Sequence, residues 1–339
     1  MRRIELDLCR IAACIMILML HVAASGWEIA PVSSPAWAWY NFYDMIVRGA
    51  VPVFFMISGT LFLEREELSI RKILCKNVPH LLAVFLFWSV LYAAANPLIA
   101  GTPVTPYQFA VSVVKGNFHM WFLVAMISAY FFLPVVHGVI HGQKVPIWYL
   151  LILFGVYALA NTNLKLIPNC PEIVTALCSQ FSIYNVHYLG YMVLGYCLSK
   201  KDWGGRFTVA CPIAFVASGA VFAMANRWYS IKMGKPTMWL YGNFSLPSLF
   251  LACCVFIFFL SLRSRQWGGK KWISYLSAST LGVYMLHVLL IKLSGRMGLK
   301  VTDYPAMLSV PVGVALLAVV CFGAVGVLRC IPVLRKCVQ

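Results

Sequence analysis

Apolar residues run along this chain in long stretches, separated by short polar and charged segments. The stretches lack the alternation of apolar and polar positions that marks barrel strands. Many approach the roughly 20 residues a helix needs to cross a bilayer. Hydrocarbon offers no partner to a bare peptide group, so only helices or closed barrels cross it. The pattern therefore predicts an all-α, polytopic membrane protein. Ten spans are expected: Leu8–Ala24, Ile46–Leu63, Val78–Ala95, Met120–Val139, Val145–Ala160, His187–Leu198, Phe207–Ala225, Ser245–Leu262, Leu276–Leu293 and Ala306–Leu328. The fifth and sixth are the shortest. Segments at roughly 25–45, 96–118 and 161–186 hold Trp, Tyr, Pro and Asn and read as external loops.

Composition agrees with that pattern. Of 339 residues, 62% are hydrophobic and 11% charged, against about 25% charged in a soluble domain. Mean hydropathy is +0.83. No stretch is left for a soluble domain, so a single transmembrane domain over 1–339 is expected, with the lipid bilayer as its first partner. The net charge of +17 would point to nucleic acid in a soluble protein. Here it follows from the excess of Lys and Arg in cytoplasmic loops, and no nucleic-acid partner is expected. With Met1 inside, 18 of the 27 Lys and Arg residues fall in inner segments. Both termini are therefore expected in the cytoplasm. Met1-Arg2-Arg3 precedes an apolar run without a cleavage signature, so the run reads as a retained first helix. Most of the 12 cysteines lie in apolar runs without metal-type spacing and read as packing residues. Cys170 and Cys178 share an external loop and are candidates for a disulfide.

Ionisable groups at membrane depth are costly and therefore point to function. Arg10 and His21 are eleven residues apart in the first span. That is three helical turns plus about 20°, so both lie on one face, with about 16 Å of rise between them. Asp7 stands one turn before Arg10 and can pair with it. Taken singly, Arg10 also reads as a snorkelling anchor, and His21 as a buried histidine bonded to a neighbouring helix. Counting along the spans puts His287 within a turn of the depth of His21, and places Arg48 and His119 at the outer starts of theirs. An outer-half cluster of His21, Arg48, His119 and His287 is thus expected. Trp121 beside it also reads as an interfacial anchor. Three histidines raise a metal reading, but no Cys, Asp or Glu completes the shell, and no metal is expected. On the inner side Arg71, Lys72, Lys76 and His80 approach the third span. Positions 72, 76 and 80 share a face at helical spacing and suit phosphate; plain positive-inside charge reads equally well. No Gly-rich phosphate loop is present.

These residues resemble a known family. Leu6-Asp7-Leu8-Cys9-Arg10 with His21 after ten residues is similar to the Arg-x10-His signature of membrane acyltransferase family 3. The resemblance continues through Arg48-Gly49-Ala50-Val51-Pro52-Val53-Phe54-Phe55-Met56-Ile57-Ser58-Gly59, then Lys76-Asn77-Val78-Pro79-His80 ahead of Phe87-Trp88-Ser89, then His119-Met120-Trp121-Phe122. It extends to Tyr188-Leu189-Gly190-Tyr191, Leu194-Gly195-Tyr196 and Ser279-Thr280-Leu281-Gly282-Val283-Tyr284-Met285-Leu286-His287. One departure stands out. The family's third helix usually opens on an Arg-x-x-Arg-like motif that helps bind acyl-CoA. Here the matching stretch offers Lys72, Lys76 and His80, with Pro79 among them. Lysines bind phosphate as point charges.

The resemblance implies acyl transfer from cytoplasmic acyl-CoA, acetyl-CoA by default, to a hydroxyl of a surface or lipid-linked glycan, in the inner membrane of a bacterium. It implies His21 as general base, with Arg10 and His287 beside it in the reaction. Arg71, Lys72, Lys76 and His80 are expected on the donor, and Arg48, Ser58, His119, Trp121 and Tyr284 toward the acceptor. A succinyl donor would need a further cation. Homo-oligomerisation is left open. The alternative is a transporter or glycan flippase without covalent chemistry, whose charges would line a path. Such folds more often show paired repeats, and none is seen here.

Overall fold

The computed structural model describes residues 2–146, 148–153, 171–180 and 182–339, and among these the regular structure is helical throughout. In chain order the helices are α1 Ile4–Trp27, α2 Pro35–Ile46, α3 Ala50–Leu63, α4 Ile70–Lys72, α5 Val78–Ala100, α6 Pro106–Lys115, α7 Trp121–His141, α8 Glu172–Ser179, α9 Leu189–Ser199, α10 Phe207–Met233, α11 Leu246–Leu260, α12 Lys270–Arg296, α13 Ala306–Leu328 and α14 Pro332–Val338. Among the described residues seven helical stretches are long and apolar enough to cross a membrane: Ile4–Trp27, Pro35–Leu63, Ile70–Ala100, Pro106–His141, Phe207–Met233, Lys270–Arg296 and Ala306–Leu328. The chain is thus a multi-pass membrane protein.

The other three expected spans fare differently. Ser245–Leu262 is helical as α11, but over 15 residues only. His187–Leu198 opens on a 3-10 turn, Ile183–Tyr188, ahead of the 11-residue α9. Val145–Ala160 lies partly outside the described residues, as do 161–170, with Cys170, and residue 181.

Local chemistry sets the helix ends. Ser34 accepts a bond from Trp37 N and Pro35 opens α2. Thr105 and Gln108 form a capping box at α6. Ser245 caps α11. Each side chain satisfies backbone N–H groups that have no partner inside the helix. These caps correct the loop reading of 25–45, which contains α2, and of 96–118, which contains the end of α5 and all of α6.

The chain forms two compact units, Met1–Ser58 with Cys197–Gln339, and Gly59–Tyr196. In the first, α1 packs on α2, α11, α12 and α13. α1 and α12 run parallel: Asp7 meets Ser277, Cys14 meets the Thr280 carbonyl, and His21 meets His287. α13 returns antiparallel, so that Arg329 bonds the Tyr275 carbonyl at 2.8 Å. Arg2 bonds the adjacent Ser274 carbonyl at 3.3 Å, which brings both chain ends to the start of α12. On α10, Val209, Ile213, Val216, Met224 and Trp228 are exposed; on α13, so are Leu308, Val312, Leu316 and Val320. Apolar residues at three- and four-residue spacing on an outward face suit contact with lipid tails.

α2 and α3 together make one 29-residue span with a bend at residues 47–49. A Cβ on Gly49 would stand 2.5 Å from the Ala252 backbone nitrogen. Only glycine lets the α11 backbone pass that close, a common device where membrane helices cross.

In the second unit α5 packs on α6 and α7, and α6 on α8. Residues Ile73–Asn77, just before α5, form a π-helical turn. Pro79 cannot donate to the carbonyl four residues back, and its ring crowds that carbonyl; a widened turn relieves both.

Candidate active site

The first unit holds Asp7, Arg10, His21, Arg48 and His287. At the start of α1, Asp7 is 5% exposed. It accepts bonds from Arg2 Nε at 2.6 Å and from Ser277 Oγ at 2.6 Å. The bond to Asp7 raises the pKa of Arg2 above its already high usual value. Arg10 Nη1 stands 4.0 Å from Asp7 and bonds Ser277 Oγ at 3.4 Å. Asp7 is therefore shared, and Arg2, not Arg10, is its nearer partner. A bidentate grip from a residue ahead of the helix outcompetes the pair one turn away.

Further along α1, His21 lies against His287, with ring centroids 4.9 Å apart at 44°. His287 is fully buried, and its Nδ1 stands 2.5 Å from the Tyr284 carbonyl. A carbonyl oxygen only accepts, so that nitrogen carries the proton. The Tyr284 ring also lies beside His287, at 5.7 Å. Arg10 and His21 both meet α12, through Ser277 and His287, so the shared face expected from their spacing is present.

Arg48 lies in the bend between α2 and α3, in the middle of a span rather than at its outer start. The reason is α2, which extends the span well before the bend. Its guanidinium bonds Asp44 at 2.7 Å and lies over the Tyr241 ring at 4.0 Å. Asp44 is 1% exposed, and an aspartate so buried needs its counter-charge. Tyr241 donates to Asn41 Oδ1 at 2.7 Å, and Asn226 Nδ2 donates to the same oxygen at 2.7 Å. Burial, with the Asp44 charge adding and Arg48 opposing, pushes the Tyr241 phenol well above its usual range, so its proton stays in place. Sequence reasoning missed Asp44, Asn41, Asn226 and Tyr241. The four-residue spacing of Asp44 and Arg48 was the one signal available.

The chain matches the model of the acyltransferase domain of family 3 over residues 3–329. It belongs to that membrane acyltransferase family. No curated protein and no solved structure matches the chain. The family assignment supports an enzyme of O-acyltransferase type. Ser58, in the Ser58-Gly59 patch, sits half-buried at the end of the first unit's share of α3.

The remaining predicted residues of the acyltransferase belong to the second unit. His119 is 1% exposed in a 3-10 turn and meets the Tyr92 ring at 5.2 Å. Trp121 opens α7 and stacks on Tyr188 at 5.6 Å. Of the expected outer cluster, His21, Arg48 and His287 share the first unit, and His119 stands in the second. Arg71, Lys72, Lys76 and His80 are all exposed. A π turn at Ile73–Asn77 stands between Lys72 and His80. Lys72 lines a cavity of about 920 Å³ together with Phe62, Arg65, Glu66, Glu67, Ser69, Asn77 and Gln143. Among the described residues no group of three or more His, Cys, Asp or Glu side chains stands together as metal ligands would.

Proposed function

We propose that the chain is a ten-span bacterial inner-membrane acyltransferase, a single domain over 1–339 with both termini in the cytoplasm. It moves an acyl group, by default acetyl, from cytoplasmic acyl-CoA to a hydroxyl of a surface or lipid-linked glycan. The observation that carries this reading is the His21–His287 contact. It lies on the same helix pair as Arg10, about 16 Å of helical rise from it. One parallel pair thus offers cations at one end and an imidazole pair at depth, which suits a long thin donor lying along it.

In this reading His21 takes the proton of the acceptor hydroxyl as that oxygen attacks the thioester carbonyl. A C–O bond forms, the carbonyl electrons move onto oxygen, and the oxyanion needs nearby donors. Arg48, Tyr284 and His287 are the candidates. The C–S bond then breaks, and the thiolate recovers the proton from His21. Lys72, Lys76, Arg71 and His80 meet the donor's phosphates, supported by the exposure of all four and by the cavity that Lys72 lines. Ser58, His119 and Trp121 are assigned toward the acceptor.

The test is His21→Ala in purified protein, with mass spectrometry of surface glycans from cells carrying it. The expected result is a loss of one acetyl unit from the glycan and a rate at least about 100-fold lower, the usual contribution of a general base. A folded His21→Ala protein that acetylates at full rate overturns the role of His21. Glycans unchanged on deleting the whole chain overturn the activity.

A further inference from the structure

The last carbonyls of α3 have no partner within the helix, and the segment after it, 64–69, has no regular structure. This same segment forms one wall of the 920 Å³ cavity, through Arg65, Glu66 and Ser69. Its main chain is held from α7. His141 Nε2 stands 2.9 Å from the Leu63 carbonyl, and His137 Nε2 stands 2.8 Å from the Arg65 carbonyl. Gln143 Nε2 donates to the Glu66 carbonyl at 2.8 Å. Each imidazole faces a group that only accepts, so each Nε2 carries a proton. The two rings stack at 4.3 Å and 25°, which lines up their donors along one stretch of backbone.

The local sequence is built for this grip. His137 and His141 are one turn apart on one face of α7. Gly142, at φ 65°, ends the helix and turns Gln143 back toward it. A Cβ on Gly138 would lie 3.0 Å from the Gln143 carbonyl oxygen and 2.7 Å from Val145, so glycine there admits the returning chain. His137-Gly138-Val139-Ile140-His141-Gly142-Gln143 thus delivers three donors to three carbonyls within residues 63–66. Arg65 adds a bond from its Nε to the Leu61 carbonyl at 3.0 Å and lies over the Phe62 ring at 4.7 Å. With its carbonyl held by His137 and its side chain folded onto Phe62, Arg65 lines the cavity with Lys72, beside Glu66 and Glu67.

We propose that His137, His141 and Gln143 are positioning residues that hold the 63–66 main chain, and with it Arg65, in the shape that receives the phosphate-bearing head of the acyl donor. This rests on the reading of the Lys72 cavity as the donor's seat. The three side chains themselves reach backbone rather than donor.

Acetyl-CoA binding to the full-length protein in detergent is the measurement, alongside the thermal midpoint. His141 is only half-buried, so substitution there spares the core better than at His137. His141→Phe removes the donor and keeps the ring stack; it is expected to weaken acetyl-CoA binding by about tenfold, the size of one lost hydrogen bond. His141→Gln replaces Nε2–H with an amide N–H and is expected to restore binding to within about twofold. Lys72→Ala reports on the cavity independently. If Lys72→Ala weakens binding and His141→Phe does not, the clamp is overturned and the donor seat stands. If both His141 variants lose binding equally with a lowered thermal midpoint, the role is structural only and the proposal fails. If Lys72→Ala and Arg65→Ala bind acetyl-CoA as the unaltered protein does, the cavity is not the donor's seat and the clamp falls with it.

Discussion

At the scale of the residue, the Asp44–Arg48 pair decides what the bend between α2 and α3 can do. Asp44 is almost wholly buried and Arg48 mostly so, 1% and 16% exposed at the side chain. Removing one partner of such a pair leaves a charge out of water and costs about 3–5 kcal/mol, whereas replacing both by apolar groups is often neutral. Asp44→Ala should therefore lower the thermal midpoint in detergent much more than Asp44→Ala combined with Arg48→Met. Equal midpoints would show that Arg48 finds another counter-charge or reaches water. The double variant should still lose activity if Arg48 is one of the donors to the oxyanion. Arg10, His21 and His287 were legible in the chain because charge at membrane depth is rare and helical spacing is regular. Asp44 was hidden by its place in a stretch of Trp, Pro and Tyr that reads as an outer loop. Tyr241 and Asn226 were hidden because their partners lie some two hundred residues away, and no local pattern encodes such a meeting.

At the scale of the element, the long spans were visible because apolar length alone specifies them. What pattern did not show was irregularity: the helix before Arg48, the π turn ahead of Pro79, and the 3-10 turn ahead of α9. The first arises at Pro35 with its Ser34 cap, and the second at Pro79. Gly49 makes this measurable. A methyl group there meets the α11 backbone at Ala252, and overpacking of this kind typically costs about 1–3 kcal/mol. Gly49→Ala is expected to lower the thermal midpoint and the folded yield. Gly323→Ala, on α13 with open space around it, should leave both unchanged, because alanine suits a helix interior at least as well as glycine. A Gly49→Ala protein as stable as the Gly323→Ala control would mean that α2 and α3 shift freely past α11. Arg48 would then not be rigidly held.

At the scale of the whole molecule, the question is which side of the membrane each end occupies. The first unit brings both chain ends to the start of α12, since Arg2 bonds the Ser274 carbonyl and Arg329 bonds the neighbouring Tyr275 carbonyl and Ser279. Val338, near the end of α14, packs over Gly282 on the same helix. Termini that share one end of one unit are expected on one side of the bilayer, whatever the number of spans between them. Charge then chooses the side: Arg2, Arg3, Arg329, Arg335 and Lys336 cluster at this end, and such residues are retained in the cytoplasm. Reporter fusions test both steps at once. A fluorescent protein that matures only in the cytoplasm should glow at either terminus, and a phosphatase that works only outside should be silent at both. Opposite results at the two ends would break the shared-end packing. A phosphatase active at both would keep the packing and reverse the membrane, putting Arg10 and the shared Asp7 outside and the acyl donor out of their reach.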